Sequence, residues 1–293
     1  MGPENKRPVF FFLGGDTAPS ETRRADDGAI VVSAAQPRQD VDKEHPLSDN
    51  PAEWHFDDVF ARVFNAREKL SARQWSGYIH HLHQRFGFEK IVLDAGAGGG
   101  GVFVKRELME KKQTINGVEM EVTPLCDQVD GPLRVVRGEF IVHMFKRGDP
   151  GVELVWPNPE SSNKSLAGDE LLKAALFGDY KEALDYIRIG MIGNAGEWLA
   201  ERREEIQKWP EERLWALKCL DAGTVQLGNI MVLKKDDGTY LFSKRGAHQF
   251  VSNGRDDIAF ARMYSYAAFR IWLRSDAWRG ILDPQDEAGF SGR

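Results

Sequence analysis

Cysteine is nearly absent from this chain: there are two, Cys126 and Cys219, in unrelated contexts. That excludes a disulfide scaffold and a cysteine-based zinc site, and it fits a reducing compartment. Long hydrophobic runs are missing too. No stretch approaches the roughly 18 apolar residues of a membrane span, and no signal peptide opens the chain. A basic excess is also lacking. Lys and Arg total 39 against 45 Asp and Glu, for a formal net charge of −6. A net acidic chain is not an obvious nucleic-acid binder, because neutralising phosphates normally needs a basic surface. There is no G-x-x-x-x-G-K-S/T phosphate loop, no internal repeat and no low-complexity tract. What is present is core material: 293 residues, 42% hydrophobic, with eight Trp and 17 Phe. The chain is globular, and its length suits one large domain or two small ones. Met1-Gly2-Pro3 reads as a cloning remnant, so residues 1–7 are set aside as a tag or disordered end.

Along the chain, Val9 to Leu13 is a buried strand closed by Gly14-Gly15, with Asp16 just past it. Turn formers and charges fill 17–28. Ala29 to Val32 then returns as a second strand, which makes a hairpin with a long tip. Residues 34–52 read as a surface loop, and Trp54 to Asn65 as a third strand. Ser71 is placed as the N-cap of a helix carrying Trp75, Tyr78, Ile79, Leu82 and Phe86, stopped by Gly87. Lys90 to Leu93 is a short buried strand ending on Asp94. A glycine-rich turn, Ala95 to Gly101, leads into a helix over Val102 to Lys112, followed by a strand over Ile115 to Val122. Residues 123–165 are irregular, with strands around 134–136 and 139–145, and 166–218 are mostly helical. Strands are expected at 224–233 and 239–242, and a closing helix over Asp256 to Arg274. The sum is an α/β chain with a mixed sheet, since a purely doubly wound fold would not begin with an antiparallel hairpin.

The acids carry the chemistry. If the strands ending at Asp16 and Asp94 are parallel neighbours, these carboxylates lie side by side at one sheet edge. On the closing helix Asp257, Ala261, Tyr264, Ala268 and Ile271 share a face, so Asp257 points toward the sheet, while Asp256 is turned away to cap the helix or support the site. Three converging carboxylates repel one another, and divalent cations relieve that repulsion. Mg2+ and Mn2+ take carboxylate oxygens, and two of them roughly 3.5–4 Å apart clamp a phosphodiester in line. Each acid taken alone would be an ordinary turn or cap residue.

These segments resemble a family. FFLGGDTAPSETRRADDGAIVV is similar to the opening of the nuclease domain of phage terminase large subunits. KIVLDAGAGGGGVFVKREL resembles that family's second acidic strand with its glycine turn and helix. ALKCLDAGTVQLGN and RDDIAFARMYSYAAF resemble the segment before its closing helix and that helix itself. The resemblance covers 9–33, 54–122 and 211–272, and order and spacing carry it more than any single motif. It implies a single RNase H-like domain over 8–293, a mixed β-sheet flanked by helices, with a largely helical insertion at 123–210. It further implies a Mg2+- or Mn2+-dependent endonuclease that uses two ions to cut concatemeric viral DNA during packaging. Asp16, Asp94 and Asp257 would be the metal ligands, with Asp16 bridging both ions, and Asp256 and Asp27 would be auxiliary. Phe260 stands where the family often has a further Asp, three residues after the second acid of the closing pair. The implied partners are double-stranded DNA, an ATPase motor domain, the small terminase subunit and the portal. The implied location is the host cell cytoplasm, without membrane attachment or secretion.

Three other readings compete. IVLDAGAGGGG followed by INGVEME resembles the cofactor turn of S-adenosylmethionine-dependent methyltransferases, with Glu119 on the ribose, although this leaves Asp16 and Asp257 without a role. GGDTAPSETR and LDAGAGGGG resemble the phosphate-gripping turns of actin-like ATPases, for which the chain is short. A non-catalytic binding module would use the acids only as caps and turns. Around the acidic edge, His248 is a candidate proton shuttle or phosphate contact. Lys105, Arg106, Lys244, Arg245, Arg255 and the pair Arg23-Arg24 are candidate DNA contacts. His80 and His83 share a helix face but lack a third ligand, which reads as surface rather than a metal site. With much of the negative charge placed in the metal site and in loops, DNA affinity of the isolated chain is expected to be weak and salt-sensitive.

Overall fold

The computed structural model describes residues 9–17, 28–38, 50–64, 68, 70–94, 100–125, 142–145, 180, 189–190, 200–228, 230–234, 240–244 and 257–274. β1 (Phe10–Asp16), β2 (Gly28–Pro37) and β3 (Trp54–Phe64) form an antiparallel meander, with Phe12 opposite Ser33 and Val32 opposite Phe60. α1 (Ala72–Phe86) then carries the chain across the sheet, and β4 (Phe88–Asp94) pairs parallel to the free edge of β1. A parallel neighbour requires such a crossover. α2 (Gly100–Leu108) follows, then a hairpin of β5 (Lys112–Ile115) and β6 (Val118–Glu121). β7 (Val142–Phe145) is parallel to β4, and β8 (Ile189–Gly190) is parallel to β3. The central sheet thus runs β7-β4-β1-β2-β3-β8, the expected RNase H-like mixed sheet. Both outer strands, β7 and β8, come from within 123–210.

After a short helix, α3 (Arg203–Ile206), comes α4 (Glu211–Gly228). β9 (Ile230–Lys234) and β10 (Tyr240–Lys244) pair with each other in a separate two-stranded sheet, and α5 (Asp257–Arg274) closes the described chain. No described helix is long and apolar enough to cross a membrane.

The two faces of the sheet bury different helices. On one, Leu13, Ile30, Val32, Ile91 and Leu93 pack against Trp75, Ile79 and Leu82 of α1 and Val104 and Leu108 of α2. The ends of α1 are fixed locally. Ser71 Oγ accepts from the Gln74 N–H while Gln74 Oε1 accepts from the Ser71 N–H, and Gly87 closes the helix at φ 67°. On the other face, Phe10, Phe12, Phe56 and Val92 pack against Phe269 and Trp272 of α5. Helix α5 presses so closely on the sheet that a Cβ at Gly14 would collide with the Ala261 carbonyl oxygen and the Ser265 amide nitrogen.

A buried polar chain fixes α5 laterally. Arg262, fully buried, pairs with Asp58 of β3, and Ser33 Oγ donates to Asp58 Oδ1 at 2.7 Å. Ser265 Oγ lies 2.8 Å from Ser33 Oγ and 3.2 Å from the Phe12 carbonyl oxygen. Burial pushes the Asp58 carboxyl above its usual range, and the Arg262 charge and the Ser33 hydroxyl pull it back. Replacing such a pair with apolar residues is often neutral. Through it α5 is tied to Ser33 of β2 and Asp58 of β3.

Four sequence expectations change. Residues 34–37 are strand rather than loop, because β3 is long enough to pair with them as far as Pro37 opposite Trp54. Helix α2 ends at Leu108, short of Lys112. The single strand expected over Ile115 to Val122 is half of a hairpin, because Asn116 (φ 51°) and Gly117 (φ 79°) form the two-residue turn that positive φ angles permit. Residues 224–228 are helix, since α4 packs on α5 through Gly223 and Thr224. The expected strand at 134–136 and most of the helical stretch before 200 lie outside the described residues.

Candidate active site

β1 and β4 run in the same direction with Gly15 opposite Leu93, so the next register step sets Asp16 beside Asp94. Side chains alternate along a strand. Phe12 and Val92 belong to the core under α5, so Asp16 and Asp94, an even number of residues further on, lie on the α5 face. Helix α5 runs antiparallel to β1. The Trp272 ring is 4.6 Å from that of Phe10, the Phe269 ring 5.6 Å from that of Phe12, and Ala261 and Ser265 sit on Gly14. Continuing that progression brings the N-terminal residue Asp257 to the level of Asp16. The strand register and this progression place the backbone positions of Asp16, Asp94 and Asp257 toward the same end of the sheet.

Asp257 is 4% exposed, a carboxylate seated at the positive end of a helix. An all-carboxylate donor set suits a hard cation that takes oxygen ligands, such as Mg2+ or Mn2+. The donor type fits. However, among the described residues no three His, Cys, Asp or Glu side chains close into a group able to hold a metal ion. The auxiliary acids Asp27 and Asp256 lie outside the described residues, as do His248, Arg245, Arg255, Arg23, Arg24 and the glycine turn 95–99.

The remaining candidates are more dispersed. Lys105 and Arg106 sit in the last turn of α2, which leads away from the end of β4, and the Arg106 guanidinium lies 5.9 Å from the Phe103 ring centre. Lys244 ends β10, in the separate two-stranded sheet. Phe260 packs near Tyr264, with ring centres 6.4 Å apart. Glu119 lies on the β5–β6 hairpin outside the central sheet, 3.5 Å from Arg73, and not at the end of a strand beside β4.

The histidine cluster is packed rather than on the surface. His80 is 3% exposed, and the His83 Nδ1 accepts from the Phe88 N–H at 3.0 Å. Burial, reinforced by His83, lowers the His80 pKa to about 4. A folded-state value below the unfolded one favours the neutral ring, so its stability contribution is present above about pH 6.5 and is lost as pH falls toward 4. The loss amounts to roughly 3.5 kcal/mol at most, at about 1.4 kcal/mol per pKa unit. Urea midpoints measured across that window should fall for the native chain and fall less for His80→Gln. Identical pH dependence in the two would contradict this.

Two features of the site escaped the sequence reading. Thr17, directly after Asp16, is buried, with a hydroxyl that has no hydrogen-bond partner among the described residues. The side chain of Gln226, on α4, accepts the N–H groups of Ile258 and Ala259 at 3.0 and 3.2 Å, immediately beside Asp257.

No family model and no curated protein matches the chain. Among solved structures it is similar to the large terminase nuclease from thermophilic phage G20c, at 10% identity and a TM-score of 0.40, covering 88% of this chain and 82% of that one. It is also similar to the nuclease domain of the large terminase subunit gp2 of bacterial virus Sf6, at 9% identity and a TM-score of 0.41, covering 87% and 86%. A mutant of that Sf6 domain with manganese gives 10% identity and a TM-score of 0.40 over the same shares. The topology and the acid edge, rather than these likenesses, carry the functional reading.

Proposed function

We propose that this chain is the nuclease domain of a phage terminase large subunit, a Mg2+- or Mn2+-dependent endonuclease that cuts concatemeric viral DNA during packaging. One observation carries the reading. Asp16 and Asp94 end adjacent parallel strands of an RNase H-like sheet, and the helix over that same face begins with Asp257. Two divalent ions, when bound, supply Lewis acidity at the scissile phosphate. The protein's part is to hold the ions and orient the DNA. Asp16 is the ligand proposed to be shared, and Asp94 and Asp257 each complete one side. Asp27 and Asp256 assist, and His248 moves a proton or contacts a phosphate. Lys105, Arg106, Lys244, Arg245 and Arg255 contact the backbone.

The domain spans 8–293 with 123–210 as an insertion. It acts in the infected cell's cytoplasm on double-stranded DNA delivered by an ATPase motor domain, with the small terminase subunit and portal as partners. Delivery matters because a net charge of −6 gives the isolated chain little hold on DNA.

Incubation of supercoiled plasmid with the protein and Mn2+ should yield nicked and linear DNA, and chelation should stop it. S-adenosylmethionine raising the melting temperature in place of Mn2+ would replace this reading with the methyltransferase one. Absence of cleavage with both Mg2+ and Mn2+ would leave a binding module.

A further inference from the structure

A helix leaves the N–H groups of its first turn without intrahelical partners. In α5 two of these, on Ile258 and Ala259, donate to a single oxygen, Oε1 of Gln226, at 3.0 and 3.2 Å. The acceptor belongs to another helix, 32 residues before Ile258 in the chain. The same stretch of α4 grips α5 in three further places. A Cβ at Gly223 would meet the Ile258 side chain at 2.5 Å, Arg262 Nη2 donates to the Leu220 carbonyl oxygen at 3.2 Å, and Arg262 Nη1 to Thr224 Oγ1 at 3.5 Å. Residues 220–226 thus fix the position and rotation of the first turn and a half of α5.

We propose that Gln226 is a positioning residue for the cation site. By capping Ile258 and Ala259 it sets where the neighbouring Asp257 carboxylate stands relative to Asp16 and Asp94. The inference rests on the metal-dependent nuclease reading. Residue type supports it. An amide oxygen satisfies two backbone donors without placing a further negative charge beside Asp257. A carboxylate at 226 would cap equally well but would alter the charge of the site. An apolar residue would leave both donors unpaired and the start of α5 free to shift.

Two variants and two readouts test this. Gln226→Met keeps the volume and loses the acceptor, whereas Gln226→Glu keeps the acceptor. In metal-free protein, amide hydrogen exchange at Ile258 and Ala259 should accelerate in Gln226→Met and stay protected in Gln226→Glu. In Mn2+ titrations followed by calorimetry, Gln226→Met should bind roughly tenfold more weakly, the size of effect that groups orienting metal ligands commonly have. Gln226→Glu should bind at least as tightly as the native chain. A purely structural cap would lower the melting temperature and leave Mn2+ affinity unchanged, and that result overturns the proposal. So does equal weakening in both variants. If the native chain itself takes up no Mn2+, the nuclease reading fails and the positioning role falls with it, whereas native binding with unaltered Gln226→Met binding sinks the positioning role alone.

Discussion

Asp16→Asn should lower Mn2+-dependent DNA cleavage by roughly a thousandfold or more while leaving the protein folded. The size follows from what a shared ligand does. Metal-ion catalysis supplies several kcal/mol of transition-state stabilisation, and each 1.4 kcal/mol is worth a factor of about ten in rate. The fold should survive because Asp16 is the last residue of β1, only partly buried, and asparagine has nearly the same shape. The metal-free melting temperature should therefore change little. The rise in melting temperature on adding Mn2+ should disappear. Full cleavage activity in Asp16→Asn, and equally in Asp94→Asn, would remove these residues from the catalytic site.

Gly14→Ala should be the most destabilising single methyl that can be added to the described core. The new Cβ would meet the backbone of α5 at Ala261 and Ser265 rather than a side chain that could turn away. The helix must lift from the sheet, which loosens the Phe12, Phe269 and Trp272 contacts and the Ser265–Ser33–Asp58 chain together. Overpacking against a rigid backbone belongs at the upper end of the usual range, on the order of 3 kcal/mol or more. At this chain length about 3 kcal/mol corresponds to a fall in melting temperature of roughly 5 °C. Gly87→Ala is the control. Gly87 has φ 67° but nothing within 4 Å of an added Cβ, so it should lose only about 1–2 kcal/mol from backbone strain. Equal losses at the two positions would show that the close approach of α5 is not what Gly14 permits.

The strand ends at Asp16 and Asp94 and the closing helix beginning at Asp257 were legible in the sequence because their logic is local: two short apolar runs ended on acids, and helical spacing marked the helix. The N-cap at Ser71 and the stop at Gly87 were legible for the same reason. Ile115 to Val122 misled because apolar content outweighed the Asn116-Gly117 turn that splits it. Thr224 and Val225 favour strand in isolation, but the fit of Gly223 against Ile258 keeps that segment helical. Ala34 to Pro37 contains no β-branched residue, and only pairing with β3 makes it a strand. Gln226 gave no signal at all, since its partners lie more than thirty residues away and are backbone atoms. His80 was misplaced on the surface because a histidine stripe on a helix does not reveal whether that stripe faces a neighbour. The net charge of −6, which first argued against DNA, now locates some of its excess at the corner where cations are proposed to bind.

The most direct test is anomalous diffraction from crystals of the native chain soaked in Mn2+. The account predicts Mn2+ peaks at the C-terminal ends of β1 and β4, within coordination distance of Asp16 and with Asp94 and Asp257 drawn in as further ligands. Saturating Mn2+ with no peak at that corner, or peaks only elsewhere, would contradict it.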